Sequence, residues 1–214
     1  MTIFLFMNNF RLEPFLWIHL AGLALAPLLL VIVWIGLAVS DPWSFYWLEL
    51  FMVGILGVIP ILWMQWTKPF DFFGFLFLSV RPNSLTEEQR KMLRLLKARK
   101  NKIFHGLAVI GLLGVGWLIY QLAPFAAVTA SMLPQWRILG LIIAAVGFFF
   151  FNLVVQVAVS VLGVLLTSET TWLATEAIPS NQVTNQFTVI GLRVSKIFLI
   201  PSLEATSNLQ KETS

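Results

Sequence analysis

Four long apolar runs, separated by polar segments, constrain this chain more than any other feature of its sequence. The runs lie at residues 14–39, 47–66, 103–123 and 138–166. A helix needs about 20 predominantly apolar residues to cross a hydrocarbon core of about 30 Å. The pattern therefore predicts an all-α integral membrane protein with four transmembrane helices.

The composition excludes the soluble globular class. The mean hydropathy is +0.86 and only 11% of the residues are charged, whereas about 25% are charged in typical soluble domains. The chain has no cysteine, so disulfides, thiolate metal sites, cysteine nucleophiles and covalent haem attachment are excluded.

The polar segment between the second and third runs, residues 67–102, carries most of the positive charge. It holds nine of the fourteen Lys and Arg residues, whereas the two shorter loops hold only Arg137. Basic loops stay on the cytoplasmic side of a membrane, so we expect this segment and both termini to be cytoplasmic. The expected partners of its charge are anionic lipid headgroups or an acidic protein surface, in preference to nucleic acid.

This topology divides the chain into five parts: an N-terminal tail (1–13), a transmembrane hairpin (14–66), the basic connector (67–102), a second hairpin (103–166) and a C-terminal tail (167–214). Residues 70–80 are rich in Phe and Leu but too few to span, which predicts an interfacial or re-entrant segment. Alternation at residues 188–198 predicts a short strand, and the last dozen residues are expected to be disordered.

The connector is expected to contain a basic amphipathic helix. Ser84 and Glu87 form a capping-box pattern, which predicts a helix that begins near Leu85 and continues into the third span. One face of that helix carries Leu85, Met92, Leu96 and Ile103. The predicted lipid- or partner-binding residues on the opposite face are Arg90, Lys91, Arg94, Lys97 and Lys102.

Two histidines are candidate ligands for a cofactor. His19 lies in the first run and His105 opens the third, and imidazole is a common axial ligand of haem and of pigments such as chlorophyll. The alternative is that His19 bonds a neighbouring helix while His105 lies among the headgroups. We favour this alternative, and with it a protein that needs no cofactor.

Asn152 and Gln156 share one face of the fourth run because they are four residues apart. Their side chains either pair with each other and with a neighbouring span, or line a substrate path. We favour pairing, because no charged residue lies deep in any run. Close helix contact is also predicted by three small-residue spacings: Gly22 with Ala26, Gly36 with Ser40, and Gly140 with Ala144.

Two further residues of the second run affect its helix. Glu49 lies in the first turn, where an acidic side chain suits the positive end of the helix dipole. Pro60 removes a backbone hydrogen bond and is expected to bend the helix.

Several stretches resemble a known family: EPFLWIHLAGLALAP (13–27), PILWMQ (60–65), RPNSLTEEQRKML (81–93), YQLAP (120–124), LPQWRILGL (133–141), LLTSE (165–169) and GLRVSKI (191–197). Together they resemble the cyanobacterial low-complexity tail membrane proteins. The resemblance implies a cyanobacterial inner membrane, the thylakoid above all, and brings no catalytic residues with it. After Pro201 only a short Ser/Thr/Glu-rich remnant stands where relatives have a long biased tail.

Two functions from different classes fit the sequence. The first is a non-catalytic accessory subunit, scaffold or assembly factor of a larger membrane complex, and the resemblance implies a photosynthetic complex. The second is a small transporter or channel component, suggested by Asn152, Gln156 and the bend at Pro60. No enzymatic role is expected, because the adjacent Glu87 and Glu88 do not share a helix face and no catalytic motif is present.

Overall fold

The computed structural model describes residues 9–74, 78–189 and 191–195. Four of its helices are long and apolar enough to span a membrane: Pro14–Leu37, Tyr46–Thr67, Arg99–Gln121 and Arg137–Leu165. They coincide with the four predicted runs and are called the first to fourth spans. The predicted four-helix architecture is therefore confirmed.

The first span changes its helix type part-way along. It consists of an α-helix (Pro14–Ala21), a 3₁₀ turn (Gly22–Leu25) and a second α-helix (Ala26–Leu37). Pro27 has no N–H to donate to the carbonyl of Leu23 four residues earlier. The turn before the proline tightens, and the N–H of Ala26 bonds the carbonyl of Leu23 instead.

The fourth span is central and packs against each of the other three. It meets the first span backbone to backbone. A Cβ atom on Gly36 would lie 2.7 Å from the nitrogen of Ala144, and one on Gly140 would lie 2.6 Å from the carbonyl oxygen of Gly36. The predicted close contacts at Gly36 and Gly140 are confirmed, whereas Gly22 has open space beside it.

One aromatic ring of the fourth span fills the gap between the second and third spans. A Cβ atom on Gly57 would lie 2.6 Å from the Phe148 ring, and one on Gly116 would lie 3.3 Å from it. Around this ring lies the core of the spans, which includes Val33, Leu37, Val53, Val58, Leu112, Leu141, Ala144 and Phe151.

The four spans alternate in direction, which gives the bundle two distinct ends. The loops at residues 38–45 and 122–136 form the loop end, and the connector with both terminal segments forms the connector end. Exposed tryptophans mark both: Trp47, Trp117 and Trp136 at the loop end, and Trp17, Trp63 and Trp66 at the connector end. Trp47 and Trp63 lie about 24 Å apart along the second span, a separation suited to two membrane interfaces.

The connector end is a second folded unit, and it shares its hydrophobic core with the adjoining ends of the first and fourth spans. It is called the connector domain and comprises the described residues of 9–13, 68–98 and 167–195. Its buried residues include Phe10, Phe72, Phe73, Leu85, Met92, Leu93, Ile178, Val183 and Phe187. Phe10 stacks on Trp172 with ring centroids 4.3 Å apart. Two short helices, Glu169–Leu173 and Ser180–Gln186, belong to this unit.

A parallel strand pair closes the connector domain. Strand β1 (Leu78–Val80) pairs with strand β2 (Leu192–Val194), so the predicted strand is confirmed. The prediction of an interfacial or re-entrant segment at residues 70–80 is wrong for its described part. Phe70, Phe72 and Phe73 are buried inside the protein, because the C-terminal segment covers them.

The connector helix, Glu87–Leu96, differs from the prediction at both ends. Thr86 is its N-cap, in a capping box with Gln89; Ser84 instead ends a 3₁₀ turn that begins at Pro82. The helix does not continue into the third span, since Ala98 has non-helical backbone angles. Ile103 consequently leaves the predicted face and is exposed, while Met92, Leu93, Leu95 and Leu96 are buried. The predicted C-terminal disorder lies outside the described residues.

Candidate functional site

Three groups of polar side chains that are buried between the spans lie at successive levels along the fourth span. The outermost level is an ion pair at the loop end. Arg137 opens the fourth span and is 8% exposed, and Glu49 in the first turn of the second span is fully buried. Nε of Arg137 donates to Oε1 of Glu49 at 2.7 Å, and Nη2 donates to Oε2. Both bonds together form a bidentate pair.

The same ion pair also contacts the first and third spans. Nη1 of Arg137 donates to the carbonyl oxygens of Leu37 and Val39, each at 2.8 Å. The hydroxyl of Tyr120 donates to Oε2 of Glu49 at 3.0 Å. These residues are called the clasp, because one charged pair joins all four spans. The guanidinium also lies where the carbonyls that end the first helix carry partial negative charge.

The clasp is suited to a structural role. All three guanidinium nitrogens of Arg137 and both carboxylate oxygens of Glu49 make hydrogen bonds within the protein. Oε1 of Glu49 also accepts from the N–H of Trp43. A substrate would have to displace one of these bonds to reach either charge. Removing one partner of a buried ion pair typically lowers the free energy of unfolding by about 3–5 kcal/mol. The clasp therefore couples the positions of the spans.

The second level is Asn152, which lies beside the proline of the second span. Its Nδ2 donates to the carbonyl oxygen of Gly57 at 2.9 Å, with the carbonyl of Val58 at 3.5 Å. Pro60 has no N–H to donate to the carbonyl of Leu56, and Asn152 contacts the next two carbonyls of that turn. The predicted contact with the backbone of another span is confirmed, but the predicted partner Gln156 is wrong.

Gln156 belongs to the third level, where it contacts His105. Its Oε1 accepts from Nδ1 of His105, and its Nε2 donates to the carbonyl oxygen of His105 at 3.4 Å. The other ring nitrogen lies 3.2 Å from the hydroxyl of Ser160. His105 is buried between the third and fourth spans, so its predicted place among the headgroups is wrong.

Neither histidine faces an open ligand position in this geometry. Each ring nitrogen of His105 lies against a polar side chain, so a metal bond at either one would displace Gln156 or Ser160. Nε2 of His19 lies 2.7 Å from the carbonyl oxygen of Phe72, a loop residue and not a neighbouring helix as predicted. Among the described residues, no group of three or more His, Asp or Glu side chains could hold a metal ion.

The joint between the connector helix and the spans rests on Asn101. Its Nδ2 donates to the carbonyl oxygen of Leu95 at 3.1 Å, which also accepts from the N–H of Ala98, and lies 3.4 Å from the carbonyl oxygen of Leu96. Its Oδ1 occupies the place of a side chain on Gly163, where a Cβ atom would lie 1.9 Å away. Only glycine at position 163 leaves room for this contact.

The five predicted lipid- or partner-binding residues do not form one bare face. Arg94 and Lys102 are exposed, whereas Arg90, Lys91 and Lys97 are half-buried. Lys91 lies 3.8 Å from Glu87. Lys97 donates to Gln186 at 3.3 Å, and partial burial, with the charges of Lys102 and Lys68, lowers its pKa. Two further exposed cations, Arg99 and Lys100, extend the surface beside Lys102, and Nζ of Lys100 donates to the carbonyl oxygen of Leu166 at 3.2 Å.

The buried polar residues of the spans and the basic residues of the connector helix all lie within one stretch of sequence that matches a known family. The sequence profile of the low-complexity tail membrane protein-like family matches residues 12–199. The chain belongs to this family. No curated protein and no solved structure matches the chain. The match includes all four spans, so this low-complexity tail membrane protein-like chain is a membrane protein.

The clasp is the part of the site that sequence reasoning missed. The sequence predicts a helix-dipole role for Glu49 and a loop position for Arg137, although both residues open spans that run in the same direction. Two isolated, opposite charges at the same end of two parallel spans were the available signal. Gln65 is a further residue that the sequence does not single out. It is buried in the second span, and neither of its amide atoms has a hydrogen-bond partner among the described residues.

Proposed function

We propose that this low-complexity tail membrane protein-like chain is a non-catalytic scaffold, acting as an accessory subunit or assembly factor of a larger membrane complex. The observation that carries the proposal is the connector domain. Three separate chain segments fold over the end of the bundle and share a hydrophobic core. A folded polar end with a basic surface is suited to docking.

The docking surface that we propose is the exposed cationic group at the junction of the connector helix and the third span. It comprises Arg94, Arg99, Lys100 and Lys102. A neighbouring subunit with an acidic surface would bind there, and anionic headgroups would bind the cations that lie nearest the bilayer. Each Lys or Arg near an anionic leaflet contributes about 1 kcal/mol, and salt screens that contribution.

The polar groups inside the spans support this function because the protein itself uses most of them. The clasp, the amide of Asn152 and the ring of His105 are all bonded to other spans. Their pairing explains their presence without a transported substrate. The absence of catalytic activity belongs to the same proposal.

The proposal extends to location and orientation. The sequence motifs support a cyanobacterial thylakoid membrane and a photosynthetic complex as the partner. The basic residues of the connector support a cytoplasmic position for the connector domain and both termini. A cysteine placed at exposed Ser84 should resist an impermeant maleimide added from outside, while one at Asp41 should react. The reverse pattern would overturn the orientation.

A second candidate function, a small transporter or channel component, has one observation in its favour. Three buried amide atoms have no hydrogen-bond partner among the described residues: Oδ1 of Asn152 and both amide atoms of Gln65. Unpaired polar atoms inside a bundle are suited to contact with a passing solute or water.

Two measurements separate the candidates. After mild solubilisation of native membranes, the scaffold should co-migrate on a native gel with a larger complex of identified subunits in fixed stoichiometry. Reversing the charges of Arg94, Arg99 and Lys102 to Glu should abolish co-migration, whereas Arg193→Glu on strand β2 is the matched control. Migration as a free protein, together with solute or ion flux in proteoliposomes that Asn152→Leu abolishes, would establish the transporter instead.

A further inference from the structure

The loop between the third and fourth spans, residues 122–136, is apolar on its outside. It contains no charged residue. Phe125, Val128 and Met132 are 78%, 82% and 85% exposed, and no other large hydrophobic side chain in the described part of the chain is as exposed as these. Such side chains are rarely grouped on a surface that faces water.

The local helical structure explains why these three side chains share one face. A 3₁₀ turn (Ala123–Ala126) leads directly into an α-helical turn (Ala127–Ala130). Ala123, Ala126 and Ala130 are buried against the protein. The alanines therefore pack the segment against the bundle, and the large apolar side chains point away from the bundle.

The loop is fastened at the depth where the first span ends. Nε1 of Trp34 donates to the carbonyl oxygen of Leu122, and the N–H of Ser40 donates to Oε1 of Gln135 at 3.0 Å. Exposed Trp117 precedes the loop and exposed Trp136 ends it. Tryptophan collects at the boundary between headgroups and acyl chains, so the loop is held at that boundary instead of projecting beyond it.

We infer that residues 122–136 form an interfacial anchor, whose outer face inserts into the bilayer leaflet at the loop end. The bilayer is the occupant because the face is continuous with lipid-facing residues of two spans, Leu118 on the third and Ile138 on the fourth. Helical segments with one apolar face bind at this depth. The other loop differs because it exposes the charged Asp41 and the polar Ser44 as well as Phe45.

The absence of cysteine from the sequence allows a direct test with single-cysteine variants. Val128→Cys and Met132→Cys carry an environment-sensitive nitrobenzoxadiazole label in neutral phosphatidylcholine vesicles. Asp41→Cys is the control in water, and Ile110→Cys, on the exposed side of the third span, is the control in the acyl core. All four positions are exposed, so the label does not disturb packing.

The labels at 128 and 132 should emit at wavelengths between those of the two controls. Lipids that carry a shallow nitroxide should quench them more than lipids with a deep nitroxide, with the opposite order at 110. Emission identical to that at 41 would overturn the anchor. A blue shift that disappears at one protein molecule per vesicle would also overturn the anchor, because a second copy of the chain would then be covering the face. A blue shift that occurs only in native membranes would overturn it as well, because a partner protein would then be covering the face.

Discussion

Arg137 at the start of the fourth span donates to both carboxylate oxygens of Glu49 at the start of the second span. These two residues are 88 positions apart in sequence, and both lie at the loop end because the two spans run in the same direction. The pair fixes the relative depth of the two spans, while Tyr120 and the Leu37 carbonyl extend it to the others.

The first prediction concerns the clasp. Arg137→Met leaves the carboxylate of Glu49 buried without its cation, so the free energy of unfolding should fall by about 3–5 kcal/mol. The double variant Glu49→Leu with Arg137→Met removes both charges and should recover most of that loss. Denaturant unfolding in detergent micelles measures both. Equal losses in the single and double variants would show that the ion pair has no coupling role.

A second prediction links Asn152 to the proline of the second span. Asn152→Leu leaves the Gly57 carbonyl without its interhelical donor and should cost about 1 kcal/mol. In a Pro60→Ala background the turn before residue 60 is free of the proline ring and can take regular helical geometry, in which the N–H of Ile61 bonds the Gly57 carbonyl. The same substitution should then cost less. A double-mutant cycle provides the coupling energy. An identical cost in both backgrounds would disprove the link.

The third prediction is a pH dependence of the connector domain that arises from Asp71. Its Oδ1 accepts from the N–H of Phe73 at 3.0 Å, and its backbone N–H donates to the carbonyl oxygen of Thr188. Burial raises the pKa of Asp71 from 3.8 to about 6. Folding therefore favours the protonated carboxyl group. The contribution of Asp71 to the free energy of unfolding is fully present below pH 3.8 and is lost as the pH rises through 6.

Asp71→Asn keeps the acceptor oxygen but cannot ionise, so it should stabilise the domain at pH 8 by up to about 3 kcal/mol and have little effect at pH 4. Hydrogen exchange of the amides of residues 71–73 and 187–189 measures the local opening. Burial also raises the pKa of Glu13, but Glu13 is present in both proteins, so their difference isolates Asp71. A difference that does not change between pH 4 and pH 8 would refute the assignment.

The spans were predictable because each is a continuous local signal: a run of apolar residues long enough to satisfy its own backbone in lipid. The start of the connector helix was not, because Ser84 with Glu87 and Thr86 with Gln89 carry the same capping pattern. Pro82 decides between them by placing Ser84 in a 3₁₀ turn.

The hydrogen-bond partners inside the site could not be predicted from the sequence, because they depend on which spans pack together. The helical spacing correctly placed Asn152 and Gln156 on one face, but their partners depend on which spans flank that face. His105 was placed near the headgroups because of its position at the start of an apolar run. In the structure the third span begins earlier, at Arg99, which carries His105 inside the bundle to Gln156 and Ser160.

The most direct test of the scaffold function is photo-crosslinking in native membranes from a reactive residue at position 94, with position 193 as the control. Both positions are exposed in the connector domain. The scaffold function predicts one dominant protein adduct from position 94, which identifies the partner subunit and which disappears when Arg99 and Lys102 are changed to Glu. Adducts with lipid alone at position 94, or the same set of proteins from both positions, would contradict it.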